Sequence, residues 1–341
     1  MRVRNFLATL GCRYKTMLLF LALVLLLCIR QSNVLWLLQG ELVPQASRVF
    51  GAPAETVPRE IPPPQASDST LRWVVLGDWG TGGEVQRRVA RAMAALTARA
   101  PVHFVLSTGD NIYPAGVRSA DDPQWEQKFE RPYAAPSLQV PWYPVLGNHD
   151  YRGNPEAQIA YSARSTRWRM PARFYRVLHL LPDSTPVLFI ALDTQQLVSG
   201  SAEARRAQLQ WLEGELAGFS GVWKFVWGHH PLRSAGAYGE NQTLLRMLKP
   251  LFDRFGVAVY FCGHEHDLQL LHHPDDGFFC VVSGAGGGVR STAYGRHTLF
   301  AAAEPGFVYA ALEKQRLHLW FITADGLRRY HAVIPKPRVQ P

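Results

Sequence analysis

Five times along this chain of 341 residues a short apolar run stops at or near a glycine, and the glycine is followed by aspartate, asparagine or histidine. Trp73 to Leu76 ends at Gly77-Asp78, and Val102 to Leu106 leads to Gly109-Asp110 with Tyr113 close behind. Val140 to Leu146 ends at Gly147-Asn148-His149, Val222 to Trp227 at Gly228-His229, and Val257 to Phe261 leads to Gly263-His264-Glu265-His266. Apolar runs this short, bounded by turn residues, read as buried strands. In open α/β sheets, sites assemble beyond the carboxyl ends of the strands. The pattern that constrains the fold therefore also places the polar side chains where chemistry is done.

Between these runs the helical period appears. Glu84 to Arg99 puts Val85, Val89, Met93 and Leu96 on one face, Ala204 to Leu216 does the same with Leu209, Leu212 and Leu216, and Asn241 to Phe255 is a third helix. Trp125 to Tyr133 reads as a short helix ended by Pro132 and Pro136. Further strands are expected at Val187 to Leu192, Phe278 to Val282 and Tyr330 to Ile334, with a hairpin from Phe307 to Leu312 and Leu317 to Ile322. Strands alternating with helices, then a run of strands, argue for α/β with a mixed sheet.

The ends of the chain are of different composition. The formal net charge is +9, but Arg2, Arg4, Arg13, Lys15 and Arg30 supply five of those charges with no acid among them. The remainder is only mildly basic, which argues against a nucleic-acid partner. Met17 to Ile29 is an uninterrupted apolar run behind this basic stretch, and apolar character resumes at Val34 to Leu38. The expected organisation is a basic cytoplasmic N-terminus over 1–16, a signal-anchor or transmembrane segment over 17–38 and a linker over 39–70, rich in proline at Pro44, Pro53, Pro58 and Pro62-Pro63-Pro64. A globular domain over 71–334 and a tail over 335–341 complete it. The domain then lies outside the cytoplasm, periplasmic or extracellular, and is secreted if the N-terminal segment is cleaved. Of four cysteines, Cys12 and Cys28 lie in the N-terminal segment. Cys262 and Cys280 read as buried free thiols, with a bridge between neighbouring strands as the alternative.

Each strand-end block has an ordinary explanation by itself. Asp78 could cap the following helix, Asn148 could be a turn residue, and His264 and His266 could be loop histidines. Five such blocks at five strand ends are not independent accidents. Asp and Tyr oxygens with a His nitrogen suit a hard trivalent ion such as iron(III), whereas an Asn oxygen with two His suits zinc, manganese or iron(II). A carboxylate shared between two such ions would hold them at the ~3.5–4 Å spacing of two-metal hydrolases.

The blocks Gly77-Asp78-Trp79-Gly80, Gly109-Asp110-Asn111-Ile112-Tyr113, Gly147-Asn148-His149-Asp150, Gly228-His229-His230-Pro231 and Gly263-His264-Glu265-His266 resemble the five motifs of the metallophosphoesterase, or calcineurin-like, family. Tyr113 at its spacing from Asp110 resembles the purple acid phosphatases. Val140-Pro141-Trp142-Tyr143 and Ala157-Gln158-Ile159-Ala160-Tyr161-Ser162 are similar to the small tartrate-resistant type, and the likeness runs from about Leu71 to Gly286. The resemblance implies a four-layer α-β-β-α sandwich with two mixed sheets, with 71–334 as its catalytic domain. It implies that Asp78, Asp110, Tyr113 and His266 bind iron(III), and that Asp110 bridges to a divalent iron, zinc or manganese completed by Asn148, His229 and His264. His149 matches the residue that orients substrate and protonates the leaving alkoxide. The implied reaction is in-line attack of a metal-bound hydroxide on small phosphate monoesters, without a phosphoenzyme; the sequence itself shows no sign of an obligate protein partner. A phosphodiesterase or nucleotidase of the same family is the alternative, and a non-catalytic surface binding module the second.

The chain departs from the mammalian members of that family in three places. His230 stands where they carry Tyr, and Tyr238 stands where they place a second His at the mouth, so both are candidate substrate-pocket residues. The segment between Asp193 and Gln208 is shorter than the one in which those enzymes carry a loop clipped on activation, so no proteolytic activation is expected. Gly284 to Gly288 reads as a turn rather than a phosphate cradle, Trp79, Trp142 and Trp168 as core or pocket wall, and His272-His273 as a solvated hairpin loop.

Overall fold

The computed structural model describes Ser67 and residues 69–337. The expected N-terminus (1–16), the signal-anchor (17–38) with Cys12 and Cys28, nearly all of the linker (39–70) and most of the tail (335–341) lie outside the described residues. Among the described residues no helix is long and apolar enough to cross a membrane.

In chain order the strands and α-helices are β1 (Leu71–Leu76), α1 (Glu84–Thr97), β2 (Phe104–Ser107), β3 (Trp142–Pro144), α2 (Pro155–Tyr161), β4 (Tyr175–Leu180), β5 (Pro186–Ala191), α3 (Thr194–Ser199), α4 (Ala202–Ala217), β6 (Trp223–Trp227), α5 (Gln242–Phe255), β7 (Val259–Cys262), β8 (Leu268–Leu271), β9 (Phe279–Ser283), β10 (Thr298–Ala302), β11 (Gly306–Leu312), β12 (Arg316–Thr323) and β13 (Arg328–Pro335). They form two sheets, one ordered β13-β12-β11-β1-β2-β3 and the other β10-β8-β9-β7-β6-β5-β4. Both are mixed. In the first, β1 runs parallel to β2 and β2 to β3, while β11 joins β1 antiparallel. In the second, β5, β6, β7 and β9 run parallel, with β4 and β8 antiparallel to their neighbours.

Burial with a period of two builds the layers. On β5, Val187, Phe189 and Ala191 join one core while Leu188 and Ile190 join another, and β6 and β7 divide in the same way. The first core lies between the sheets and extends to α1 through Val89, Ala90 and Met93. The second lies between the other face and the helices, with Leu197 from α3, Leu212 and Leu216 from α4, and Leu244, Leu248 and Phe252 from α5. A sheet that buries both faces needs a layer on each. The outcome is the expected helix–sheet–sheet–helix sandwich. Trp73 joins the two sheets, with its ring stacked on Phe104 at 5.7 Å and edge-on to Phe189 at 5.2 Å.

Several expectations change in detail. The helix expected at 125–133 is instead a turn of π-helix over Glu126–Glu130. The short elements α2, α3, β4, β8 and β10 were not foreseen. Cys262 and Cys280 are buried and free, on neighbouring strands with Cys280 paired opposite Tyr260 rather than Cys262. Gly83, not Asp78, stands at the N-cap of α1, which removes the capping explanation for Asp78.

Candidate metal centre

The parallel strands β1, β2, β3, β6 and β7 all end at one rim of the sandwich, and the five polar blocks begin there. Asp78, Asp110 and His264 have left-handed backbones, with φ of 56°, 48° and 67°. Few side chains occupy that region; Asp, Asn and His are the usual exceptions. The turn sharpens at each strand end, and the blocks approach one another closely enough that glycine is required between them. A Cβ on Gly147 would stand 2.8 Å from Asp110 Cγ and closer still to Oδ1, and one on Gly263 would meet the Asp78 carboxylate.

Two groups of donor atoms result, and Asp110 belongs to both. Tyr113 Oη lies 2.8 Å from Asp110 Oδ2, 3.0 Å from Asp78 Oδ1 and 3.1 Å from His266 Nε2. Asp110 Oδ1 faces the other way, 3.6 Å from His229 Nε2. That nitrogen is in turn 3.1 Å from Asn148 Oδ1 and 3.1 Å from His264 Nδ1. The seven expected ligands are therefore brought together in the expected halves.

The chemistry of these atoms fits cations. His229 Nδ1 donates to the Thr108 carbonyl at 3.0 Å, which leaves Nε2 as an acceptor. Acceptors on His229, Asn148 and Asp110 then converge on one point, an arrangement that suits a cation. In the other half, Asp78 and Asp110 are buried, and among the described residues the basic side chains within ion-pair distance of them are histidines rather than Lys or Arg. Burial, followed by the charges of Asp78 and Asp110, pushes the Tyr113 phenol well above its usual range. Burial works against charge on His229, but Asp110 and Asp78 outweigh it and its net shift is upward. His264 is pushed far down, by burial and then by His229. A buried cluster of this composition is balanced by metal ions.

His149 sits at the edge of the cluster. Its Nδ1 donates to the Pro114 carbonyl at 2.6 Å, its main-chain N–H donates to Asp110 Oδ1 at 2.8 Å, and its Nε2 faces Asp110 Oδ2 at 3.9 Å. His230 is buried. The Thr194 hydroxyl accepts both the His229 and His230 main-chain N–H groups, so its own hydrogen goes to His230 Nδ1 at 2.9 Å. Burial, then His229, pushes the His230 imidazole well below its usual range, leaving it neutral. Tyr238 is about half exposed and stacks on the His264 ring at 4.3 Å.

Beneath this cluster lies a network of motif residues whose role the sequence alone does not mark. Asp150 accepts the main-chain N–H groups of Asn111, Ile112 and Gly147 and the side-chain amide of Gln158. Burial and the nearby Asp110 charge raise its carboxyl to about 7 against those donors. Asn111 extends the network through Ser107 to the Trp79 indole. Arg290 was missed altogether, hidden behind the glycine run. That run is a packing turn, since a Cβ on Gly286 or Gly287 would collide with the backbone of residues 77–79. Trp79, Trp142 and Trp168 are fully buried core, whereas His272 stacks on Phe279.

Residues 71–268 match the family model for the calcineurin-like phosphoesterase domain, and the chain belongs to that family. Tartrate-resistant acid phosphatase type 5 of Oryctolagus cuniculus is 35% identical over 307 residues, covering 81% of this chain and 94% of that protein. Purple acid phosphatase 17 of Arabidopsis thaliana is 38% identical over 237 residues, 65% of this chain and 70% of that one. Within the family the chain accordingly groups with the purple acid phosphatases of the small tartrate-resistant type, enzymes of the acid phosphatase class. The fold is shared with a solved purple acid phosphatase from yellow lupin seeds (TM-score 0.62, 17% identity, 80% of this chain and 55% of that one). It is shared also with Plasmodium GAP50, described as the anchor in the inner membrane complex (TM-score 0.72, 23% identity, 79% and 90%).

Proposed function

We propose that the chain is a membrane-tethered acid phosphatase facing outward, which hydrolyses small phosphate monoesters at an Fe(III)–M(II) centre, with M iron, zinc or manganese. The observation that carries this reading is Asp110, a single carboxylate whose two oxygens face two separate groups of donors. Asp78, Asp110, Tyr113 and His266 would hold the trivalent ion, and Asp110, Asn148, His229 and His264 the divalent one. Bound there, the ions would supply Lewis-acid polarisation of the phosphoryl group and a lowered pKa for attacking water.

The protein's own groups supply position and protons. With Nδ1 committed to the Pro114 carbonyl, His149 has Nε2 as the atom that delivers a proton to the leaving alkoxide. The Asp110 carboxylate holds the main chain of His149, so the acid and the proposed bridge move as one unit. His230, neutral and tied to Thr194, and Tyr238, at the mouth, are the proposed substrate-pocket residues. The completeness of the donor set speaks against a non-catalytic binding module. The apolar run over 17–29 behind a basic segment supports the tether and its orientation.

The test uses the full chain in detergent. Metal analysis should find iron, the visible spectrum should carry a tyrosinate-to-iron band, and a monoester should be turned over faster than a matched diester. Absence of both iron and the band would refute the purple-phosphatase centre, and preference for the diester would refute the substrate class.

A further inference from the structure

We infer that Arg290, braced by Tyr238, is a second anion-binding position beside the metal centre. It makes the chain selective for phosphate compounds with a second phosphoryl group next to the scissile one, such as a nucleoside diphosphate. The inference rests on the phosphatase reading of the site.

Arg290 is fixed at several points. Its main-chain N–H donates to the His266 carbonyl at 2.9 Å, and its Nη1 donates to Tyr238 Oη at 2.9 Å and to the His264 carbonyl at 3.4 Å. The guanidinium also lies over the Tyr238 ring at 5.2 Å. Tyr238 is itself held from two sides. Its ring stacks on His264, and its main-chain N–H donates to the buried Glu265 at 2.6 Å. His264 and Glu265 thus position the phenol, while the His264 carbonyl accepts from the guanidinium and the His266 carbonyl from the Arg290 main chain.

Among the described residues no carboxylate pairs with this cation. Arg233, in the same loop region as Tyr238, is tied to Asp276 and Glu240, and Arg173 to Glu156. Arg290 has no such ion pair among the described residues, and its Nε and Nη2 donors have no protein partner there. A guanidinium carries its charge at every pH an acid phosphatase meets and presents paired donors that match phosphate oxygens. A rigid, part-buried cation without a counter-ion, one residue layer from the metal ligands, is a group waiting for an anion. The terminal phosphate belongs to the metals, so the anion Arg290 takes is the next one along the substrate. Hydrolysis keeps its ordinary balance. Water adds to the terminal phosphorus, the bridging P–O bond breaks with its electron pair leaving on the nucleoside monophosphate, and the surplus proton goes to solvent.

The test compares ADP with phenyl phosphate, using the full chain in detergent. Arg290→Gln is expected to lower the ADP-to-phenyl phosphate ratio of kcat/KM by about 10- to 100-fold, chiefly through KM, the loss expected for one charge-assisted contact. Calorimetry supplies a readout independent of turnover. Methylenediphosphonate should lose affinity for Arg290→Gln by the same factor, and methylphosphonate by far less. Tyr238→Phe, which keeps the stacked ring and drops the hydroxyl, should give a smaller fall in the same ratio. Equal losses for both substrates, or an unchanged ratio, would overturn the assignment. A wild-type chain that hydrolyses neither substrate would end the phosphatase reading instead. Arg290 would then still be judged by the calorimetric preference for the bisphosphonate, whose absence would overturn it.

Discussion

Replacing Gly147 with alanine tests whether strand ends must approach as closely as the centre requires. The added Cβ would stand 2.8 Å from Asp110 Cγ, whereas ordinary contacts begin near 3.4 Å, and the approach to Oδ1 is closer still. Asp110 cannot retreat freely, because its oxygens are bonded to Tyr113 and to the His149 main chain. A displacement on the order of 1 Å is enough to cost about 100-fold in rate. Overpacking costs about 1–3 kcal/mol of stability, and each kcal/mol lowers Tm by about 2–4 °C in a domain of this size. The control is Gly214, within α4, where a Cβ meets nothing within 4 Å. Alanine there should stabilise by about 0.5–1 kcal/mol, through helix propensity, and leave activity alone. Both variants would be followed by thermal unfolding, phenyl phosphate turnover and metal content. Gly147→Ala with full metal content and turnover within a few-fold of wild type would refute the reasoning, for it would show that Asp110 has room to move.

Tyr113→Phe is expected to abolish any visible charge-transfer band while leaving the second group of donors intact; a retained band would show that another residue is the chromophoric ligand. Stability should also show an acid limb from His179, which stacks on Phe104 at 4.4 Å and which burial, then His103, holds down to about 4. Between pH 6.5 and 4 the unfolded chain takes up a proton that the folded chain refuses, so stability falls as pH drops through that window. In His179→Phe the Tm difference from wild type should therefore grow in the variant's favour from pH 7 to pH 4, and a difference independent of pH would refute this. Limited proteolysis should not raise turnover. Asp193 and Ser201 cap α3 and α4 in turn, and Gln208 closes the segment by bonding the Asp193 main chain from both sides. A rise in kcat after nicking would contradict that.

The seven proposed ligands were legible because each directly follows or lies near a strand-ending glycine, a pattern created by the crowding at the rim. The large helices were legible too, since α1 and α5 present one apolar face over fourteen residues each. The elements that escaped are short or sit at edges. β4 pairs on one side only, and its Leu178 and Leu180 are exposed, so its apolar residues do not alternate as a half-buried strand should. α3 has six residues and one fully buried leucine, too little for a period to appear. α2 could have been read from Asn154-Pro155, since the Asn side chain caps the helix and the proline opens it. The partners that set imidazole orientation, the carbonyls of Thr108 and Pro114, are main-chain atoms and have no signature in the side-chain sequence. Arg290 lay behind a glycine run whose packing against residues 77–79 is a tertiary fact.

The left-handed backbones at Asp78, Asp110 and His264 bear on how this centre could be redesigned. At those three positions the permitted replacements are limited by the chain before any metal is considered: Asn, Asp, His and Gly tolerate the conformation, while β-branched residues do not. A programme to soften the centre with cysteine thiolates would therefore start at Asn148, His229 or His266, whose backbones are not left-handed. At positions 78, 110 and 264 backbone stereochemistry narrows the choice of side chain, and with it the repertoire of metals that the proposed centre could take.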